Sequence, residues 1–131
     1  MKKQNYITKA ERKRCQKVVA AYKELYEQED TIVLDAGKYG FVKLQSYSDE
    51  CGFDSMVIFT DSEKLFYDLW EDWLNMKLFA FVKGTPMVEM GYDEIFKYLP
   101  IKMKRELIRK RIYFEQKATG KMHRKKGVWK H

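Results

Sequence analysis

Asp68 and Asp72 stand four residues apart with Glu71 beside them, a spacing that stacks two carboxylates on one side of a helix and could offer oxygen ligands to a hard cation. The plainer reading is a solvated acidic face opposite the apolar stripe that carries Trp70 and Trp73. Asp49, Glu50 and Asp54 around Gly52 lack the alternating ligands and closing Glu of a calcium loop, so they read as turn chemistry. Gly37-Lys38-Tyr39-Gly40 has neither the spacing of a phosphate loop nor a helix behind it. His123 and His131 fall in a basic run near the C-terminus, where nothing fixes an imidazole ring for proton transfer. Cys15 and Cys51 form no metal-ligand or redox spacing. The expected catalytic, metal and cofactor residues are therefore none, and the chain reads as non-enzymatic.

Polyanion chemistry has more to work with. Residues 1–17 carry seven Lys/Arg against one acid, residues 18–96 six against sixteen, and residues 97–131 thirteen against two, which together make the net charge of +7. Basic ends around a mildly acidic middle suit phosphate contacts. Lys13 and Lys17 recur at helical spacing near the N-terminus, and Lys102, Arg105 and Arg109 at i, i+3 and i+7 form one stripe that Lys110 and Lys117 extend. Arg124-Lys125-Lys126 followed by Trp129 mixes cations with a ring, as phosphate contact plus base stacking requires; the same residues also describe a solubilising tail. The competing reading of the last helix is a core element with solvated basic residues, whose Lys104 and Arg111 snorkel past apolar neighbours.

The elements that position these groups follow from periodicity and capping. Thr8 with Glu11 is a capping-box spacing, and Cys15, Val18, Val19, Tyr22, Leu25 and Tyr26 then mark the buried face of a first helix. Thr31-Ile32-Val33-Leu34 is a first strand ending in Asp35-Ala36-Gly37-Lys38-Tyr39-Gly40, whose glycines supply positive φ. Phe41–Ser48 alternates, with Val42, Leu44 and Ser46 on one side and Phe41, Lys43, Gln45 and Tyr47 on the other. Ser55-Met56-Val57-Ile58-Phe59 completes a three-stranded antiparallel meander. Thr60 with Glu63 repeats the capping spacing before a second helix to about residue 82; Tyr92–Tyr98 reads as a short helix, and Pro100 opens a last one to about Ala118. The expectation is an α+β domain over residues 1–118, ordered α-β-β-β-α-α-α with two to three helices on one sheet face, and a basic tail over 119–131.

Helix-strand-strand-strand-helix is also the order of double-stranded RNA-binding domains, whose second helix opens on phosphate-gripping lysines. Here that position reads Asp61-Ser62-Glu63-Lys64, which repels phosphate, so that likeness is set aside. No apolar run of signal-peptide or membrane-span length occurs, and two cysteines outside any motif fit a cytoplasmic protein. The function expected is backbone binding of nucleic acid through Lys13, Lys17, Lys102, Arg105, Arg109, Lys110, Arg124, Lys125 and Lys126. The alternative is an adaptor or inhibitor that meets a protein or nucleoprotein complex through Tyr67, Glu71, Asp72, Glu89, Tyr92, Asp93 and Phe96.

Overall fold

Thr8 starts the first helix as its spacing predicts: the Glu11 N–H donates to Thr8 Oγ1 at 3.1 Å, and α1 runs Lys9–Leu25. In the computed structural model, which describes residues 6–25, 31–46 and 55–120, three strands follow, β1 Thr31–Asp35, β2 Phe41–Gln45 and β3 Ser55–Phe59. Helices α2 Ser62–Val82, α3 Tyr92–Lys97 and α4 Ile101–Thr119 complete the expected α-β-β-β-α-α-α order of an α+β fold. Tyr26, Tyr47, Ser48, the 49–54 turn with Cys51, and the tail with His123, Arg124, Lys125, Lys126, Trp129 and His131 lie outside the described residues.

Capping differs from the sequence expectation at three helices. The Glu11 carboxylate does not close a box on Thr8; it accepts the Ser62 N–H at 2.8 Å, so α1 caps the start of α2 across 51 residues of chain. Thr60 does not cap α2 either. Asp61 does, its Oδ1 accepting from the Glu63 and Lys64 N–H groups at 2.9 and 3.2 Å, because a charged carboxylate one residue later meets the same orphan donors and the helix dipole. Pro100 is likewise the cap residue of α4 rather than its first residue, and the expected 86–91 loop contains a 3-10 turn over Pro86–Glu89.

β2 lies between β1 and β3, antiparallel to both. Leu44 stands opposite Ile32 and Met56, Lys43 opposite Val33 and Val57, and Val42 opposite Leu34 and Ile58. With side chains alternating across the pleat, Val33, Phe41, Lys43, Val57 and Phe59 share the face toward the helices, and Ile32, Leu34, Val42, Leu44, Met56 and Ile58 share the other. Gly40, which precedes β2, has a φ of 107°, and a Cβ there would lie 2.3 Å from the Phe59 carbonyl oxygen, so the β2–β3 approach depends on glycine.

α2 stands between the sheet and α4. Its Asp68 and Asp72 reach Lys43 of β2, and its Phe66 and Trp70 stack on Phe114 of α4, with ring centroids 4.7 and 6.3 Å apart. At 100° per residue the two pairs leave opposite sides of the helix. α1 lies across both layers. Arg12 holds Asp35 at the end of β1 through two hydrogen bonds of 2.5 Å, and Tyr22 meets Phe114 at 6.3 Å. Leu65, Leu69, Trp70, Trp73, Val18 and Phe114 form the centre of one core, which Phe41 and Phe59 join from the sheet and Ile95 from α3.

Candidate functional site

The pairs Tyr22–Phe114 and Glu24–Tyr113, with Lys17 and Val18 beside Ala118 and Thr119, show α1 and α4 packed antiparallel. The Tyr113 hydroxyl donates to Glu24 Oε1 at 3.0 Å, and both residues are exposed, so the outer crests of the two helices adjoin. On α1 the crest exposes Lys13 and Lys17; on α4 it exposes Lys102, Arg105 and Arg109, while Lys110 is half-buried toward the seam. Lys117 lies 5.6 Å from the Tyr113 ring and continues the cationic edge. Arg109 also pairs with Glu106 at 3.3 Å, an exposed contact that a phosphate can displace. Because the pair runs antiparallel, Lys13 and Lys17 lie beside the end of α4, near Lys117, while Lys102 and Arg105 lie at its start, at the other end of the two-helix layer. One neighbouring group was not foreseen: Lys38 lies 4.9 Å from the Tyr6 ring and 5.4 Å from the Tyr39 ring, and both rings are exposed. The only prior sign of it was a lysine next to a tyrosine in a glycine turn.

The acidic and aromatic residues of the alternative site do not share one environment. Tyr67 and Phe96 are half-buried against the core, and Asp72 is engaged by Lys43. Glu71, Glu89, Tyr92 and Asp93 are exposed.

Two charged groups depart from the expectation of solvated faces. Asp68 and Asp72 are not an open acidic face or a cation site: the Lys43 ammonium lies between them, 2.6 Å from Asp68 Oδ2 and in direct hydrogen bond to Asp72 Oδ2, with the lysine side chain only 5% exposed. Burial pulls the Lys43 ammonium down, but the hydrogen bonds it donates to Asp68 and Asp72 and the charge of both carboxylates hold it above its ordinary value. Arg111 does not snorkel. It is 1% exposed, with its guanidinium carbon 5.2 Å from the Phe66 ring and 5.4 Å from the rings of Tyr67 and Trp70. Its Nε donates to Glu115 at 3.4 Å, and among the described residues Nη1 finds no partner. Lys104, by contrast, is half-buried and donates to the Lys97 carbonyl at 2.9 Å near the surface.

A groove of about 740 Å³ opens where the start of α2 meets α1 and the end of α4. Glu11, Asp61, Glu63 and Glu115 outnumber Arg14 and Lys17 on its walls, and the first N–H groups of α2 are already taken by Glu11 and Asp61. The Ser62 N–H and the Arg14 guanidinium hold the Glu11 carboxyl below the usual range. Phosphate has no cradle in this groove. The chain matches no protein-family model, no curated protein and no solved structure. Its chemistry is that of the residues themselves, and among those described no three of His, Cys, Asp and Glu gather to hold a metal. No helix among them is long and apolar enough to cross a membrane.

Cys15 offers no nucleophile. It is fully buried, and burial, with Glu11 and Asp61 nearby, pushes its thiol up to about 11. In a Cys51→Ser protein, Cys15 should react with a thiol reagent near neutral pH about a hundredfold more slowly in the native state than in denaturant, as thiolate fraction and access both fall. Equal rates in a stopped-flow comparison would show an accessible, activated thiol instead.

Proposed function

We propose that this protein binds the phosphate backbone of nucleic acid, without catalysis, on the exposed face of the α1–α4 pair. The observation that supports it is the antiparallel packing of the two helices, with the exposed Tyr113–Glu24 hydrogen bond joining their crests. With that packing Lys13 and Lys17 flank the end of α4 and Lys102, Arg105, Arg109 and Lys110 follow toward its start, so a bound backbone would run along the length of the pair. Arg124, Lys125 and Lys126, which lie outside the described residues, come five to seven positions after Thr119 in the sequence and add cations to the proposed contact. Contacts of this kind position a duplex or strand without reading its sequence. The acidic and aromatic reading takes second place, because Tyr67, Phe96 and Asp72 are committed to the core and to Lys43.

Log affinity for a DNA or RNA oligomer should fall linearly with log salt, and Lys102→Ala/Arg105→Ala/Arg109→Ala should flatten that slope by about one unit per residue that meets a phosphate. Fluorescence anisotropy over a salt series measures both. Absence of binding to either nucleic acid at low salt, or a triple variant with an unchanged slope, would remove the α4 stripe from any such role.

A further inference from the structure

The helices lie on the sheet face that carries Phe41, Lys43 and Phe59, and the opposite face is apolar at all six positions of the paired strands. Ile32, Leu34, Met56 and Ile58 on the outer face are 39, 49, 67 and 55% exposed, and Val42 and Leu44 lie half-buried between them on β2. Ile32-Val33-Leu34 and Met56-Val57-Ile58-Phe59 are continuous apolar runs, the pattern of strands covered on both sides rather than of strands with one wet face. The four exposed side chains alone present roughly 400 Å² of apolar surface, within the range of about 300–600 Å² of the largest patch on a monomer, which is often functional.

We infer that this outer face is a dimer interface, occupied by the same face of a second copy to form a two-sheet sandwich. Area and charge both select that occupant. A stable interface removes about 800 Å² from each partner, and in homodimers about 65% of it is apolar, which is about 500 Å². Ile32, Leu34, Val42, Leu44, Met56 and Ile58 supply about that amount, and the sheet rim supplies the rest. All six outward positions are aliphatic, so a copy of like net charge meets no repulsion there, and an acidic or basic partner finds nothing to pair with. An aliphatic sheet face is complemented by another at about 10 Å, and a two-fold axis makes one surface serve as both halves. The cationic crest of α4 lies on the far side of α2 from the sheet, so pairing leaves it uncovered at each end of the dimer.

Sedimentation velocity on the full chain, nuclease-treated and at high salt so that bridging by nucleic acid is absent, should give twice 15.8 kDa. Met56→Glu/Ile58→Glu should sediment at half that mass with the wild-type circular dichroism spectrum, and Leu34→Lys on β1 should do the same. Lys102→Ala/Arg105→Ala/Arg109→Ala should remain dimeric, which separates this inference from the phosphate-binding one. In methyl-labelled wild type, the Met56 signal should shift on dilution while that of Met103 does not. A wild-type monomer at every concentration overturns the inference, including the case in which a foreign protein covers the face. So does a dimer that persists in Met56→Glu/Ile58→Glu and Leu34→Lys, since its contact lies elsewhere.

Discussion

Replacing Lys43 by Met should destabilise the protein by about 2–3 kcal/mol and lower its Tm by about 10 °C. Breaking a buried ion pair from one side commonly costs about 3–5 kcal/mol, because the remaining charge stays desolvated without its partner. Here the loss is smaller, because the Asp68 and Asp72 side chains are about one-third exposed and water reaches them once the ammonium is gone. What remains is two carboxylates on one turn of α2, aimed at a methionine. Lys43→Met/Asp68→Asn/Asp72→Asn should recover most of the loss, since neutral amides neither repel one another nor need a cation. Urea melts of the single and triple variants measure this. A single variant within about 0.5 kcal/mol of wild type would mean that the triad contributes nothing, the outcome known for many surface pairs. Failure of the triple variant to recover would assign the cost to packing. The contact also has a sign in alkali: because Lys43 titrates above its ordinary value, its contribution is complete below about 10.5 and is lost as pH rises through the folded-state value.

Arg111→Ala should cost about 3–4 kcal/mol, the range for emptying a large, fully buried position. Three rings lose a desolvated cation, a contact of about 2 kcal/mol or more, and a cavity opens between α2 and α4. Arg111→Met should behave very differently. It keeps most of the volume and removes the unpartnered Nη1 donor, so it should fall within about 1 kcal/mol of wild type or exceed it. Arg111→Lys should lie between the two, because an ammonium cannot stack as a planar guanidinium does. Calorimetry on the three variants gives the order. If Met proves as damaging as Ala, the guanidinium itself holds the aromatic cluster together, and volume is secondary.

Those two residues also mark where sequence reading reaches its end. Local signals were legible: Thr8 caps α1, the positive-φ glycines close the β1–β2 turn, and the 3.6-residue stripe of Leu65, Phe66, Leu69, Trp70 and Trp73 carries α2 into the core. The order of elements followed from such signals. Lys43 was legible only as one member of an alternating strand, and Asp68 and Asp72 only as the polar side of a helix. That they answer one another is a fact of two elements 25 and 29 residues apart, which periodicity within either cannot register. Arg111 stood between two apolar clusters on its helix wheel and read as a snorkelling cation; its position against Phe66, Tyr67 and Trp70 depends on how α4 crosses α2. The basic stripes on α1 and α4 were each visible, but their adjacency awaited the pairing of helices from opposite ends of the chain. The outer sheet face was within reach: Ile32-Val33-Leu34 and Met56-Val57-Ile58-Phe59 leave no polar side to their strands.

The hydrogen bond between Glu24 and Tyr113 spans 89 residues, and the aromatic stack that Trp70 and Phe66 complete needs Phe114 as its third ring. On the ribosome, α1, the meander and α2 therefore emerge with their best apolar surface unanswered until the last helix clears the exit tunnel. Native burial of that surface waits for α4, and through that interval Trp70, Tyr22 and the outer face of the strands are available to other chains and to chaperones.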